Sequence, residues 1–306
     1  MASDPWDPER LPSQSGKTFV VTGGNAGIGY FVAEQLAAAG GRIIMASRSR
    51  QKAEVAAGSI RQRVAGAEVD FVSLDLSSLG SVREAADRIR KSGPIDVLIN
   101  NAGSTTGARK RATTEDGLEY VVGSNAFGPY ALTALAFPAL TPEGRVVSLG
   151  SLSTRMVKLD ASNLQSERGG YNFFRAYAYS KHAMHAFAFE LQRKLTAAGS
   201  GIESLLAHPG SAVDLKSEKR AGINDGRVKA LDVLSAVISQ GKDRGAWPIV
   251  RAAIDPAAKG GEFYGPHRSV AGRPVLLEPV ASSASEEFGA DFWRQAEAAT
   301  GISFEP

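Results

Sequence analysis

The sequence predicts one doubly wound α/β domain, in which helices cover both faces of a largely parallel sheet. Short apolar runs without polar alternation recur along the chain, and each is followed by a segment whose apolar residues have helical spacing. Strands that are buried on both faces have this pattern, and connecting helices make neighbouring strands parallel. The length of 306 residues suits a single sheet. A chain of that length buries roughly three quarters of its unfolded surface.

Six strands and five helices are predicted over the first two thirds of the chain. The strands are expected at residues 18–21, 42–46, 68–74, 95–99, 144–149 and 201–206. The helices are expected at residues 27–39, 52–65, 81–92, 117–139 and 175–198. Ser81 is the expected N-cap of the third helix. The connections are expected to be right-handed crossovers.

The rest of the chain is expected to form a short N-terminal segment and inserts within the same domain. Residues 1–16 are predicted to be a flexible polar segment, followed by a single domain of residues 17–306. Two inserts, at about residues 155–174 and 214–240, interrupt the alternation and are expected to be substrate loops over the strand ends. An amphipathic helix is predicted within the second insert, at residues 228–239.

Composition excludes several classes of function. Cysteine is absent, so thiol catalysis, thiolate metal sites and disulfides are excluded. The net charge is only +3, and the densest basic run, Arg109-Lys110-Arg111, is typical of a solvated loop. We therefore expect no nucleic-acid partner. His182 and His185 have no third ligand nearby in sequence, so no metal is predicted.

No targeting or membrane segment is predicted. Residues 1–16 have neither the basic nor the apolar region of a signal peptide. The longest apolar stretch, residues 130–140, is too short to cross a bilayer and contains Pro138. We expect a cytoplasmic protein without a membrane anchor.

A glycine-rich turn lies between the first predicted strand and the first predicted helix. Gly23, Gly27 and Gly29, with Asn25 and Ile28 between them, form a G-x-x-x-G-x-G pattern. Small residues allow the backbone to approach a phosphate, and a helix N-terminus offers free N–H groups to it. A purely structural turn is the alternative, but the strand–turn–helix setting favours dinucleotide binding.

The end of the second strand distinguishes between the two nicotinamide cofactors. An acidic residue there would bind the 2′-hydroxyl of NAD, whereas this chain reads Ala46-Ser47-Arg48. Arg48 suits a 2′-phosphate, so NADP(H) is predicted as the preferred cofactor, with NAD(H) left open. Asp75 and Leu76 follow the third strand and are expected beside the adenine, although a turn or cap role for Asp75 remains open.

Tyr177 and Lys181 lie four residues apart on a predicted helix and so share one face. A nearby ammonium group lowers the pKa of a phenol, which predicts Tyr177 as a general acid or base for a carbonyl or alcohol. An ordinary amphipathic helix gives the same spacing, so the pair is informative only in combination with other motifs.

In combination, the chain resembles the classical short-chain dehydrogenase/reductase family, in its retinol-dehydrogenase-like branch. The resemblance covers residues 17–215 and rests on motifs in family order: Thr22–Gly29, Asn100-Asn101-Ala102-Gly103, Asn125, Ser151, Tyr177-x-x-x-Lys181 and Pro209-Gly210. It implies a Rossmann fold, for which a dinucleotide crevice at the strand ends is typical.

The resemblance also implies roles for individual residues. Ser151 would polarise the substrate carbonyl, Tyr177 would be the acid or base, and Lys181 would bind the nicotinamide ribose. Asn125 would hold a water molecule of a proton relay. The implied cofactor contacts are Asn101, Ala102, Gly103, Pro209, Gly210 and Val213. Gly150 departs from the family pattern, which usually has a second serine at this position.

The predicted function is hydride transfer between NADP(H) and an apolar carbonyl or alcohol substrate. One alternative is a catalytically silent dinucleotide-binding sensor or interaction module, in which the tyrosine or the lysine is usually lost. Another is an epimerase or dehydratase that shares both residues. Self-association is common in the family, which leaves a homo-oligomer open.

Overall fold

The structure is a computed structural model that describes residues 6–104, 110–225 and 237–306. Its strands are β1 (Thr18–Thr22), β2 (Arg42–Ser47), β3 (Val69–Ser73), β4 (Ile95–Asn100), β5 (Leu140–Leu149), β6 (Glu203–Ala207), β7 (Ala212–Val213), β8 (Gln240–Gly241), β9 (Phe263–Pro266) and β10 (Pro274–Leu276). Its α-helices are α1 (Gly27–Ala38), α2 (Arg50–Arg63), α3 (Leu79–Lys91), α4 (Tyr120–Val122), α5 (Gly128–Ala136), α6 (Phe173–Ala197), α7 (Lys242–Gly245), α8 (Trp247–Ile254), α9 (Ala281–Ala284) and α10 (Glu286–Thr300).

Eight of these strands form one sheet in the order β10-β9-β6-β5-β4-β1-β2-β3. All neighbours are parallel except β10, which is antiparallel to β9. The chain winds outward from β1 to β3 and then returns to place β4 on the other side of β1. This reversal creates a crevice at the carboxyl ends of β1 and β4, where α/β proteins of this type bind ligands. The predicted doubly wound fold is confirmed.

The core has two halves because the sheet is covered on both faces. Phe19 and Val21 of β1 belong to a cluster with Phe31 of α1 and Ile249 of α8. The intervening Val20 belongs to a cluster on the opposite face, together with residues of α3 and α5. Successive side chains of a strand point to opposite faces, so a strand that is buried on both faces must be apolar throughout.

Helix α3 begins earlier than the sequence predicted. Ser78, not Ser81, is its N-cap, and the Ser78 hydroxyl accepts a hydrogen bond from the Ser81 N–H. Ser81 lies in the first turn, where its hydroxyl accepts a hydrogen bond from the backbone N–H of Asp75. Ser78 therefore satisfies a free N–H group of the helix start, whereas Ser81 binds a backbone N–H group that precedes the helix.

The single helix predicted at residues 117–139 is interrupted. A π-helical turn, Gly123–Phe127, separates α4 from α5, and a 3₁₀ turn at Phe137–Ala139 follows α5. Pro138 lies in this 3₁₀ turn, and proline in the interior of an α-helix removes a backbone hydrogen bond. The π-helical turn is important for the site, since it contains Asn125.

The N-terminal segment and the second insert were also the subject of predictions. In the segment predicted to be flexible, Trp6 is part of the same core cluster as Phe31, and Arg251 of α8 lies over its ring. Most of the helix predicted at residues 228–239 lies outside the described residues, as does Arg109 of the basic run. Among the helices described, none is long and apolar enough to cross a membrane.

Candidate active site

The glycine-rich turn joins β1 to α1 and requires residues without side chains. Gly23 and Gly27 have φ angles of 68° and 59°, in the left-handed region that glycine adopts without steric cost. A Cβ atom on Gly29 would meet the amide nitrogen of Asn101 and lie 2.5 Å from the Gly23 carbonyl oxygen. The turn therefore folds back tightly enough that only glycine fits at position 29.

The same turn leaves the N-terminus of α1 open. Ala26 is the N-cap, and within the described residues no side chain caps this end and no acidic side chain lies in the first turn. The first N–H groups of a helix have no partner inside it, and the helix dipole adds partial positive charge there. These properties fit a phosphate group.

The ends of β1 and β4 are held together beside this turn. The Thr22 hydroxyl accepts hydrogen bonds from the N–H groups of Asn101 and Ala102, both at 2.9 Å, and it donates to the Ile99 carbonyl. The Asn101 side chain donates to the Thr22 carbonyl at 2.8 Å. Asn101, Ala102 and Gly103 are thereby fixed along the crevice.

A cavity of about 920 Å³ occupies the crevice. Most of the predicted cofactor residues line it, namely Gly23, Asn25, Gly27, Ile28, Gly29, Arg48, Asp75, Leu76, Asn101, Ala102, Gly103 and Val213. Pro209 and Gly210 do not line it. Gly210 is held in the left-handed region, with φ of 68°, and its N–H donates to the ring of His208. Of the three residues predicted after β6, namely Pro209, Gly210 and Val213, only Val213 therefore lines the cavity.

One end of the cavity is rich in groups that bind anions. Ser47, Arg48, Ser49 and Lys52 line it where β2 leads into α2. Arg48 is exposed, and the buried Ser47 hydroxyl has no hydrogen-bond partner among the described residues. None of these four side chains is a carboxylate, and together they can hold an anionic group.

Asp75 lies at the same end and has a structural role there. One of its carboxylate oxygens accepts hydrogen bonds from both the N–H and the hydroxyl of Ser77, at 3.0 and 2.7 Å. The turn role that the sequence left open is therefore present, and Asp75 also lines the cavity.

Asn125 lies in the π-helical turn between α4 and α5 and connects the cavity wall to α6. Its carbonyl oxygen accepts from the Ser104 N–H at 2.7 Å. Its amide nitrogen donates to the Ser104 carbonyl and to the Ser180 hydroxyl, both at 3.1 Å. Single π-helical turns are frequent at functional sites because they displace backbone groups from the regular helical pattern.

Tyr177, Lys181 and Ser151 come together behind the other end of the cavity. Tyr177 and Lys181 share one face of α6, with the Lys181 nitrogen 5.9 Å from the centre of the phenol ring. That nitrogen donates to the Leu149 carbonyl at 2.7 Å, and Leu149 lines the cavity. The four predicted catalytic residues do not themselves line the cavity: Asn125, Ser151, Tyr177 and Lys181. Two of them are hydrogen-bonded to residues that do, Lys181 to Leu149 and Asn125 to Ser104.

The titration behaviour of this group differs from the sequence expectation. Burial raises the pKa of Tyr177 above its ordinary value, and a side-chain hydrogen bond with Ser151 acts in the opposite direction. Burial lowers the pKa of Lys181 from 10.5 to about 8. The pKa of Tyr177 is therefore raised and not lowered as the sequence predicted, because the burial of the phenol outweighs its hydrogen bond with Ser151.

The departure at Gly150 has a structural explanation. A Cβ atom at this position would lie 2.5 Å from Nε2 of His185, whose ring is fully buried. The same Nε2 accepts a hydrogen bond from the Ser151 N–H at 3.4 Å. Burial lowers the pKa of His185 well below 6.5, so the ring is neutral and can accept this bond. His185 thus occupies the space of a side chain at position 150.

Sequence reasoning missed one residue that lines the cavity, Lys242, and one buried carboxylate, Glu119. Lys242 begins α7, and its amine lies 3.9 Å from the position of a Cβ on Gly27 and 2.6 Å from the Asp214 carboxylate. No local pattern marks Lys242, because its position depends on the packing of α7 against α1. Glu119 is fully buried, caps α4 and accepts from the Tyr171 hydroxyl. No N-cap pattern pointed to it, because the sequence predicted a helix that already began at residue 117.

The fold and the crevice define a dinucleotide-binding α/β protein, and comparisons with known proteins identify its family. The model of the short chain dehydrogenase family matches residues 17–221. Polyprenol dehydrogenase of Mus musculus is 35% identical over 305 residues, covering 96% of this chain and 87% of that protein. Human retinol dehydrogenase 13 is 41% identical over 200 residues, covering 64% of this chain and 59% of that protein.

Solved structures agree with this result. An uncharacterised protein from Mycobacterium paratuberculosis has a TM-score of 0.80 and 34% identity, with 98% of each chain covered. A short chain dehydrogenase from Burkholderia cenocepacia in complex with NADP has a TM-score of 0.60 and 26% identity, over 78% of this chain and 91% of that one. The chain belongs to the short-chain dehydrogenase/reductase family of oxidoreductases, and its relatives include retinol-dehydrogenase-like proteins.

Proposed function

We propose that this protein transfers hydride between NADP(H) and a carbonyl or alcohol substrate, with Tyr177 as the general acid or base. The observation that carries this proposal is one continuous cavity. It runs from the anion-binding residues at the end of β2 to Leu149, whose carbonyl holds Lys181 beside Tyr177. A carbonyl reductase needs the nicotinamide end of its dinucleotide next to the proton donor, because the hydride and the proton reach the carbon and the oxygen of the same carbonyl group.

The residues present fit the dinucleotide. Glycine at position 29 leaves the turn free of a side chain, so the backbone there can approach a phosphate. The uncapped N-terminus of α1, together with Lys242, suits the diphosphate. Arg48, Lys52 and the Ser47 hydroxyl, which has no hydrogen-bond partner in the part of the chain that the structure describes, suit a 2′-phosphate. This supports NADP(H) over NAD(H). When bound, the nicotinamide supplies or accepts the hydride.

The chain itself supplies proton transfer and orientation. Tyr177 donates its phenolic proton to the carbonyl oxygen during reduction and removes it from the alcohol during oxidation. The Ser151 hydroxyl donates a hydrogen bond to the same oxygen and stabilises its developing charge. The Lys181 ammonium would hold the ribose hydroxyls of the dinucleotide. Asn125 joins Ser104 to Ser180 and would hold the water molecule of a proton relay.

An apolar substrate is supported by the residues around Ser151 and Tyr177. Met156, five residues after Ser151, is 71% exposed, and Phe174, three residues before Tyr177, is 44% exposed. The ring of Phe173 stacks on Tyr177, with 6.4 Å between ring centres. Exposed apolar side chains this close in sequence to Ser151 and Tyr177 would offer contact surface to an apolar ligand. The alcohols in the names of the relatives, polyprenol and retinol, are of this class.

Cofactor preference is tested by titrating NADPH and NADH into wild type, Arg48→Ala and Arg50→Ala, with nucleotide fluorescence as the readout. We expect Arg48→Ala to weaken NADPH binding about 5- to 30-fold and to leave NADH unchanged, since an exposed charged hydrogen bond contributes roughly 1–2 kcal/mol. Arg50 is the matched control, because it is an exposed arginine of the same segment that does not line the cavity. Tighter binding of NADH than NADPH by wild type would contradict the proposed preference.

The chemistry is tested by reduction of retinal, a polyprenal and short aldehydes with NADPH. We expect Tyr177→Phe to lower turnover by roughly 10²- to 10⁴-fold, the usual contribution of a general acid. Tyr179→Phe is the control, because its phenol lies on the same helix and has Ala183 rather than a lysine four residues later. Wild type that binds NADPH but reduces none of these substrates would favour the silent dinucleotide-binding module instead.

A further inference from the structure

Residues 216–224, here called the strap, cross from the end of β7 to the outer surface of α1 and α2. The sequence predicted substrate contact for this insert. The tip of the strap is Gly222, with φ of 75°, and a Cβ atom there would lie 2.6 Å from Cγ1 of Val55 in α2. The next residue, Ile223, packs against the core cluster that contains Phe31 of α1. The strap is therefore seated on the two helices that flank the β2 end of the crevice.

A buried ion pair fastens the strap to α1. The Arg220 guanidinium donates two hydrogen bonds to the Glu34 carboxylate, each 2.7 Å long, and both residues are more than 90% buried. Glu34 is itself positioned by the Tyr30 hydroxyl, and the Arg220 guanidinium lies over the Phe31 ring. Paired hydrogen bonds between a guanidinium and a carboxylate are strong and define one geometry. Removing either partner would leave the other charge buried without its main partner.

The strap also holds its own shape. The Asn224 side chain accepts from the Arg220 N–H at 2.7 Å and donates to the Glu218 carbonyl at 2.8 Å. Asn224 is 5% exposed. These two bonds close the backbone around Arg220, so the segment that carries the ion pair behaves as a compact unit rather than as an open loop.

The inner side of the strap faces the cavity. Lys219, Ile223 and Asn224 line it together with Ser47, Arg48, Ser49 and Lys52. The strap is therefore the outer wall of the end that we assign to the adenosine and its 2′-phosphate. A ligand at this end would be enclosed between the strand ends and the strap.

We propose that the strap closes over the adenosine half of the bound dinucleotide and that the Arg220–Glu34 pair is the latch that must open for the dinucleotide to leave. This inference rests on the proposed binding of NADP(H). It assigns Lys219, Ile223 and Asn224 to the cofactor site and makes cofactor release, rather than substrate specificity, the property that residues 216–224 control.

The first test measures how fast NADPH leaves. Protein loaded with NADPH is mixed with excess NADP⁺, and the loss of nucleotide fluorescence is followed by stopped flow. We expect Arg220→Met to release NADPH at least fivefold faster than wild type. Arg63→Met is the matched control, since Arg63 is a half-exposed arginine 3.8 Å from the same Glu34 and lies outside the strap. A folded Arg220→Met protein with the wild-type release rate would overturn the proposal.

A second variant avoids the risk that loss of a buried charge unfolds the chain. The protein has no cysteine, so Val55→Cys with Gly222→Cys introduces a single disulfide between α2 and the strap tip. The proximity of Val55 Cγ1 to the Gly222 Cβ position is compatible with the short Cβ–Cβ separation that a disulfide requires. We expect the oxidised protein to release NADPH at least tenfold more slowly than the reduced protein, with wild type unaffected by reductant.

Equal release rates in the oxidised and reduced forms, with the disulfide verified by mass spectrometry, would refute the strap as a barrier. This result is distinct from a failure of the proposed function. If wild type binds no NADPH, the proposed cofactor is wrong and the strap proposal fails with it. If wild type binds NADPH and the release rates do not respond, only the strap proposal fails.

Discussion

The contact between position 150 and His185 predicts a strong energetic coupling. In Gly150→Ala the new Cβ would lie 2.5 Å from Nε2 and 3.0 Å from Cδ2 of His185. The ring cannot move away easily, because it is fully buried and its centre lies 5.2 Å from the centre of the Phe263 ring. Overpacking of this kind costs about 1–3 kcal/mol. We therefore expect Gly150→Ala to lower the free energy of unfolding by that amount.

A double-mutant cycle isolates the contact. His185→Ala alone removes a buried ring and is also expected to be destabilising, yet it opens the space that the new methyl group needs. The double variant should therefore be about 1–2 kcal/mol more stable than the sum of the single effects, a range typical of residues in contact. Urea denaturation of the four proteins measures this value. Additive effects, within about 0.5 kcal/mol, would show that His185 does not exclude a side chain at position 150.

Two further predictions concern the cofactor crevice and its titration. Because burial lowers the pKa of Lys181 to about 8, kcat/KM for carbonyl reduction should fall as pH rises through about 8, when the ammonium loses its proton. In Lys181→Arg this decline should move to higher pH, and an unchanged profile would assign it to another group. Gly29→Ala should abolish nucleotide binding measured by fluorescence, because its Cβ would collide with the Gly23 carbonyl. Gly58→Ala, at a helical glycine with nothing within 4 Å of its added Cβ, is the control and should bind normally.

Much of the fold could be predicted because its determinants are local. The apolar run at β1 and the glycines after it specify a strand and a turn through neighbouring residues alone. The four-residue spacing of Tyr177 and Lys181 places both on one face of any helix. The boundaries were less certain, as at Ser78 and Ser81, because serine is a favoured N-cap residue and the sequence offers two serines three residues apart.

The electrostatics of the site could not be predicted, because they depend on burial by distant parts of the chain. The sequence indicated that Lys181 lowers the pKa of Tyr177. In the folded protein Lys181 donates to the carbonyl of Leu149, 32 residues earlier, and burial dominates the pKa of both groups. Likewise, the spacing of His182 and His185 in the sequence suggested only a possible metal site, and it gave no indication of a contact with residue 150. The relation of His185 to Gly150 requires that β5 and α6 pack against each other.

The sequence by itself therefore determined the class of fold, the glycine turn and the set of residues that resembles the family, because each depends on residues close together in the chain. The tertiary structure decided which way the insert after β7 runs. Arg220 meets Glu34 across 186 residues of sequence, and the strap consequently lies over the nucleotide end of the crevice. No local pattern specifies such a pairing, since it exists only after the sheet has brought α1 and the end of β7 together.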